Sequence, residues 1–193
     1  MRLFAALLPP REVTAQLAAA AEGLRALPGS DRLRWTDRSQ WHFTLAFYGE
    51  VEEELLPELN ERLGRAARRG QPLRLRLSGL GRFGDRTLWA GAEGDRIPME
   101  RLAAAVAAAG RRSGIGMEDV HRFNAHLTLA RGPRLDGPPG GLAPYVTALE
   151  GFLSESWTAE ELALVRSRLP VSGVPGEQPT YETVSSWRLG RSD

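Results

Sequence analysis

Trp41-His42-Phe43-Thr44-Leu45-Ala46-Phe47-Tyr48 decides how the rest of the chain is read, because its centre, His42-x-Thr44-Leu45-Ala46, returns as His126-x-Thr128-Leu129-Ala130. Each copy lies in an apolar, aromatic and β-branched run bounded by polar residues, the mark of a β-strand. Side chains of a strand alternate between faces, so His42, Thr44, Ala46 and Tyr48 are expected on one face and Phe43, Leu45 and Phe47 on the other. The same parity groups His126, Thr128 and Ala130 against Leu127 and Leu129. Imidazole and hydroxyl then stand about 7 Å apart along each strand. Two such strands facing one another would surround a small anion with two imidazoles and two hydroxyls. A single strand histidine is more often a structural residue than a catalyst, but a repeat in a chain with only three histidines shifts the balance to function.

The 193 residues suffice for one large domain or two closely packed lobes, and no linker divides them, so a single bilobal domain over 1–193 is expected. Hydrophobic content of 42% and charged content of 25% are ordinary for a globular chain. A formal net charge of +1 argues against holding long nucleic acid by the overall field, and leaves local recognition of a nucleic-acid end open. All 25 basic residues are Arg, a usage that a GC-rich genome explains and that also supplies guanidinium groups suited to phosphate. Without Lys, covalent chemistry through a lysine amine is excluded; without Cys, so are disulfides, thiol nucleophiles and thiolate metal sites. The histidines show no H-x-H or H-E-x-x-H spacing, and no metal or other cofactor is expected. The apolar run Leu3 to Leu8 is too short for a signal-peptide core, and no run approaches membrane-spanning length, so a cytoplasmic protein without membrane association is expected.

Taken in order, Leu3 to Leu8 predicts a buried strand halted by Pro9-Pro10. Val13, Leu17, Ala20, Ala21, Leu24 and Leu27 then recur at helical spacing up to Pro28-Gly29. A short extended piece over 32–35 and a capped turn at Thr36-Asp37-Arg38-Ser39 lead into the first histidine strand. Glu52 to Glu54, then Leu55, Leu59, Leu63 and Ala66, predict a helix. Its acidic start and its basic end (Arg65, Arg68, Arg69) complement the dipole, which explains the arginine cluster without invoking RNA. Leu73, Leu75 and Leu77 alternate with Arg74 and Arg76 as a strand, 79–85 reads as a turn, and Thr87 to Ala90 as another strand. Pro98 opens an alanine-rich helix reaching about Arg112. His121 stands outside the repeat and reads as a surface or loop residue. Gly132 to Pro144, dominated by Gly and Pro, reads as a loop, either a connector or a flap over the site. Glu150 to Trp157, Glu161 to Leu169 and Tyr181 to Leu189 read as strands, with a breaker-rich stretch over 170–179. Two strand-helix segments, each carrying one H-x-T, make duplication into two lobes the economical architecture.

Opening a cyclic phosphate diester with water needs a neutral imidazole to take a proton from the water and an imidazolium to protonate the leaving oxygen. It also needs donors for the non-bridging oxygens. Histidine suits both proton-transfer roles because its ordinary pKa lies near neutrality. Threonine supplies a hydroxyl donor whose β-branch restricts it to few rotamers. Two His and two Thr therefore make a complete set.

At these residues the chain resembles the two-histidine phosphoesterase superfamily, and more narrowly the bacterial RNA 2′,3′-cyclic phosphodiesterases, also called 2′-5′ RNA ligases. The resemblance is carried by R-L-F-A-A-L from Arg2, R-W-T-D from Arg34, W-H-F-T-L-A-F-Y-G-E-V from Trp41, L-S-G-L-G-R-F-G from Leu77, F-N-A-H-L-T-L-A-R from Phe123 and L-V-R-S-R-L from Leu164. It implies an α/β (α+β) bilobal fold: two pseudo-symmetric lobes of mainly antiparallel sheet, with outer helices, around a central cleft. It implies hydrolysis of 2′,3′-cyclic phosphate at an RNA 3′ end to a 2′-phosphate, with 2′-5′ ligation as a side activity. A monomer that needs no cofactor is expected. Carried over residue by residue, His42, Thr44, His126 and Thr128 are the catalytic set, with His126 as the base on water and His42 as the acid for the 3′ oxygen. Arg131 matches a family position, but parity sets it opposite His126, so it reaches the cleft only if the strand bends. Phe123 is a candidate to stack on a base and Tyr48 a candidate to reach the nucleotide; for both, core packing is the competing reading. Ala125 stands where many relatives have Pro, and Tyr48 where they often have Leu. The alternatives are action on another cyclic phosphate, such as a cyclic nucleotide or ADP-ribose 1″,2″-cyclic phosphate, and an RNA-end-binding module without catalysis.

Overall fold

The computed structural model describes the chain except for residues 118–121, 134, 173, 175–176 and 192–193, so His121 lies outside the described residues. Leu3 to Leu7, flanked by Pro9-Pro10, lies within β1 (Arg2–Leu7), and the helical repeat that follows gives α1 (Arg11–Ala21). The predicted helix tightens into a 3-10 turn over Glu22–Ala26, and two residues of β2 (Arg34–Trp35) come next. Asp37 caps the turn before the first histidine, its carboxylate accepting from the Ser39 amide at 2.8 Å. The histidine strand is β3 (Phe43–Glu50), followed by α2 (Leu56–Arg69). A hairpin of β4 (Leu73–Phe83) and β5 (Thr87–Gly94) leads to α3 (Arg96–Arg112) and the second histidine strand, β6 (Leu127–Arg131). The chain closes with α4 (Ala143–Ala148), β7 (Trp157–Ala159), β8 (Glu161–Arg168) and β9 (Thr180–Arg188).

Eight of these strands form one antiparallel sheet in the order β7-β4-β5-β6-β3-β1-β8-β9, with β2 added beside β6. The two histidine strands meet at its centre through the single pair Phe43–Leu127. On either side the halves correspond: β3 leads outward to β1, β8 and β9, and β6 to β5, β4 and β7. The two halves are drawn from interleaved parts of the chain rather than from successive segments, because β8 and β9 return to the half that holds β1 and β3. Helices α2 and α3 pack on each other, α3 against β3 and α2 against β9, while α4 lies on β4. Leu59, Leu63, Leu75, Leu77, Val106, Leu127 and Leu164 join one buried core on the helix side of the sheet. Phe4, Ala6, Ala163 and Val165 form a small second cluster on the other side, which is why β8 is buried on both faces.

Three expectations need correction. The stretch 79–83 is strand, not turn: Gly79 takes a left-handed φ of 56° at a register shift between Ser78 and Leu80, and β4 resumes, so the true turn is confined to the residues around Gly84. Glu150 to Trp157 is not a continuous strand. It is tied to β4 by the Ser78–Leu153 bridge and the Ser154 hydroxyl, which accepts from the Leu77 amide, and regular pairing begins only at Trp157. The loop from Gly132 contributes no described residue to the central cavity, so the flap reading fails. It is docked instead: Arg32 donates to the Gly137 carbonyl, and the Leu142 amide to the Asp85 carboxylate.

The histidine strands both break their alternation at the same point. In β3, Thr44 pairs with Ala6 but Ala46 with Ala5, leaving Leu45 as an extra residue. In β6, Thr128 pairs with Trp89 but Ala130 with Leu88, leaving Leu129 extra. A bulge inverts parity beyond it. Ala46, Tyr48 and Ala130 therefore turn into the core, against the simple alternation, while Phe47 and Arg131 turn to the cleft.

Candidate active site

In antiparallel register about Phe43–Leu127, the flanking residues face one another, which sets His42 across from Thr128 and Thr44 across from His126. All four line one cavity of about 290 Å³. Each imidazole is fixed in the same way. His42 Nδ1 donates to the Gln40 carbonyl at 2.6 Å and His126 Nδ1 to the Asn124 carbonyl at 2.8 Å, the carbonyl lying two residues upstream in both cases. With Nδ1 committed, Nε2 is the nitrogen left for chemistry. In His42 it lies 3.0 Å from the Thr44 hydroxyl.

Aromatic rings hold the imidazoles from outside. Phe4 lies 4.7 Å from the His42 ring at 30°, and Tyr181 meets it edge-on at 5.2 Å. Phe83 meets the His126 ring edge-on at 4.9 Å, with Trp89 at 6.2 Å. Burial lowers the pKa of His42 below the ordinary imidazole value; the Gln40 carbonyl opposes this, and the charges of His126 and Arg131 add to it. Burial also raises the Tyr181 phenol, against the pull of Arg131 and Arg2.

Arg131 reaches the cavity because of the bulge, as its expected condition required. Tyr48 does not: it is 2% exposed and its hydroxyl donates to the Val106 carbonyl at 3.0 Å, so its role is packing. Phe123 is half-buried against the core and does not line the cavity. Further cavity residues escaped the sequence reading, among them Arg2, Phe4, Arg34, Gln40 and Tyr181. They come from β1, β2, β9 and a turn, with no local pattern linking them to the histidines. Phe47 was assigned to the wrong face, although it occupies the same place after its repeat as Arg131 does. Gln178 and Pro179 form a wall of the site, and Gln178 donates to the Trp35 carbonyl and accepts from the Asp37 amide. The Gln40 side chain likewise donates to the Pro179 carbonyl.

A model of the family described as "LigT like Phosphoesterase" matches residues 7–89 and 95–175, and each matched segment carries one H-x-T. The chain belongs to the LigT-like phosphoesterases. Among its relatives, the RNA 2′,3′-cyclic phosphodiesterase of Thermus thermophilus is 34% identical over 203 residues, spanning 98% of this chain and 90% of that one. A protein of the same name from Aquifex aeolicus is 29% identical over 168 residues, with 81% and 82% covered. In three dimensions the chain superposes on the Thermus thermophilus protein TT0787 with a TM-score of 0.74 and 32% identity over the whole of both chains. On the LigT of E. coli complexed with 3′-AMP the TM-score is 0.75, with 25% identity and 98% of both chains covered. The family and the mainly antiparallel α+β fold implied by the sequence both hold.

Proposed function

We propose that this LigT-like phosphoesterase hydrolyses 2′,3′-cyclic phosphate at RNA 3′ ends to a 2′-phosphate, acting as a monomer in the cytoplasm. The observation that carries the reading is that two tautomer-fixed imidazoles and two threonine hydroxyls from different strands line one cavity whose described residues include arginine but no carboxylate. The names of the Thermus and Aquifex relatives support the substrate class. Burial lowers the pKa of His42, so its role as acid draws on the substrate anion, whose charge raises an adjacent imidazole's pKa. His126 then takes the proton from water, His42 protonates the departing 3′ oxygen, and the threonines and Arg131 hold the non-bridging oxygens. Ligation forming a 2′-5′ bond is the same displacement with a 5′ hydroxyl in place of water, the 3′ oxygen again departing.

The test is incubation of RNA ending in 2′,3′-cyclic phosphate with excess chelator present. The expected product is a 2′-monophosphate; no turnover, or turnover only on adding metal, overturns the proposal. His42→Ala and His126→Ala should each lower the rate at least about a hundredfold. Replacing the bridging 3′ oxygen with sulfur, a leaving group that needs no proton, should rescue H42A and not H126A. Recovery of unchanged substrate after saturable binding would instead indicate the binding module.

A further inference from the structure

The cavity holds more positive charge than one cyclic phosphate can balance. Arg2, Arg34 and Arg131 all line it, no Asp or Glu among the described residues does, and the reacting group carries a single negative charge. Arg2 lies over the ring of Phe47 at 4.7 Å, and Arg131 lies close enough to His42 to disfavour its charging. Arg34 has no such assignment. It stands on β2 directly opposite Arg131 on β6, on the same face. Like charges directly opposite across two strands destabilise a sheet unless an anion lies between them. Among the described residues the Arg34 side chain makes no ion pair or hydrogen bond, and the residue is exposed.

The strand directions locate this pair. Because β3 and β6 are antiparallel and each runs away from its histidine, Phe47 and Arg131 mark opposite ends of the cavity. The end beyond Thr128 carries the pair Arg34 and Arg131, and the end beyond Thr44 carries the exposed ring of Phe47 with Arg2 over it. We infer that Arg34, beside the Arg131 that serves the reacting phosphate, forms a second phosphate subsite that holds the internucleotide phosphodiester on the 5′ side of the reacting nucleotide. The proposal rests on the cyclic phosphodiesterase reading and deepens it: the subsite makes the enzyme prefer an oligonucleotide end to a free cyclic mononucleotide. A guanidinium fork fits this use because it binds the two non-bridging oxygens together.

The test compares kcat/KM for three probes: a nucleoside 2′,3′-cyclic phosphate, a dinucleotide ending in the same group, and that dinucleotide with an uncharged methylphosphonate linkage. The wild type should prefer the charged dinucleotide at least about tenfold, the size of one charge-assisted contact. The methylphosphonate should erase most of that preference. Arg34→Ala should lower kcat/KM for the charged dinucleotide by about tenfold more than for the mononucleotide, chiefly through KM, and should be indifferent to the methylphosphonate. Arg34→Lys should restore part of the preference. Equal loss on all probes, or no loss on any, overturns the subsite. The neutral linkage reads the same contact from the substrate side, so a poorly folded variant does not blunt the test. A wild type inactive on every probe sinks the phosphodiesterase reading itself; equal activity on all of them leaves that reading intact and removes the subsite.

Discussion

His42 ties the site's electrostatics to two measurable pH dependences. Its lowered pKa means that, below the ordinary imidazole value of 6.5, the unfolded chain binds the proton more readily than the folded one. Stability therefore declines as pH falls through 6.5 and levels off once the folded imidazole is also protonated. Thermal unfolding of His42→Gln should show a flatter dependence over that range. The same shift governs kcat/KM, which reports the free enzyme. With His42 as the acid, the falling alkaline limb should lie below 6.5; a rising limb in its place that vanishes in a His42 variant would exchange the roles of the two imidazoles. Tyr48 is the opposite case, a polar residue whose chemistry is spent on packing. Tyr48→Phe removes one buried hydrogen bond to Val106, and urea unfolding should show a loss of about 1 kcal/mol with kcat/KM intact.

At the scale of elements, the two bulges do what the repeat alone does not. Each inserts a leucine, Leu45 or Leu129, between the threonine and the next cleft residue, and each delivers a different group there: an aromatic ring in β3, a guanidinium in β6. The hairpin β4–β5 supplies the outer wall of His126 and depends on Gly81. A Cβ at that position would lie 2.2 Å from Cη2 of Trp89, so the indole must move. Gly81→Ala should cost about 1–3 kcal/mol as overpacking does. By displacing Trp89 from its place beside His126 it should also lower turnover; a variant that loses stability but keeps full kcat would show that this wall does not position His126.

For the whole molecule, the interleaving of the two halves of the sheet sets how the chain folds. A cut between residues 94 and 95 separates β1 and β3 from β8 and β9, and β5 from β6, leaving each fragment with unpaired strand edges and part of its core exposed. Neither fragment should show a cooperative thermal transition by circular dichroism, and mixing them should restore both the transition and activity. A fragment that folds by itself would contradict a single bilobal domain.

The repeat, the strand character of its two copies, the helix between Glu52 and Arg69 and the grouping of His42, Thr44, His126 and Thr128 about one cavity were legible in the sequence, because each rests on local periodicity or on residue types that recur at fixed spacing. Tyr48, Phe47 and Ala46 were misassigned because alternation is a local rule, whereas a bulge is dictated by the neighbouring strand's register. The partners of the quartet, Phe4, Arg34, Gln40, Gln178 and Tyr181, were unreadable for a related reason: they lie far apart in the chain and meet only through sheet order and loop contacts. The sequence by itself determined the two H-x-T segments whose side chains are proposed to do the chemistry; tertiary structure alone decided which charges and rings surround them, since strand pairing, not spacing along the chain, sets who faces the cavity.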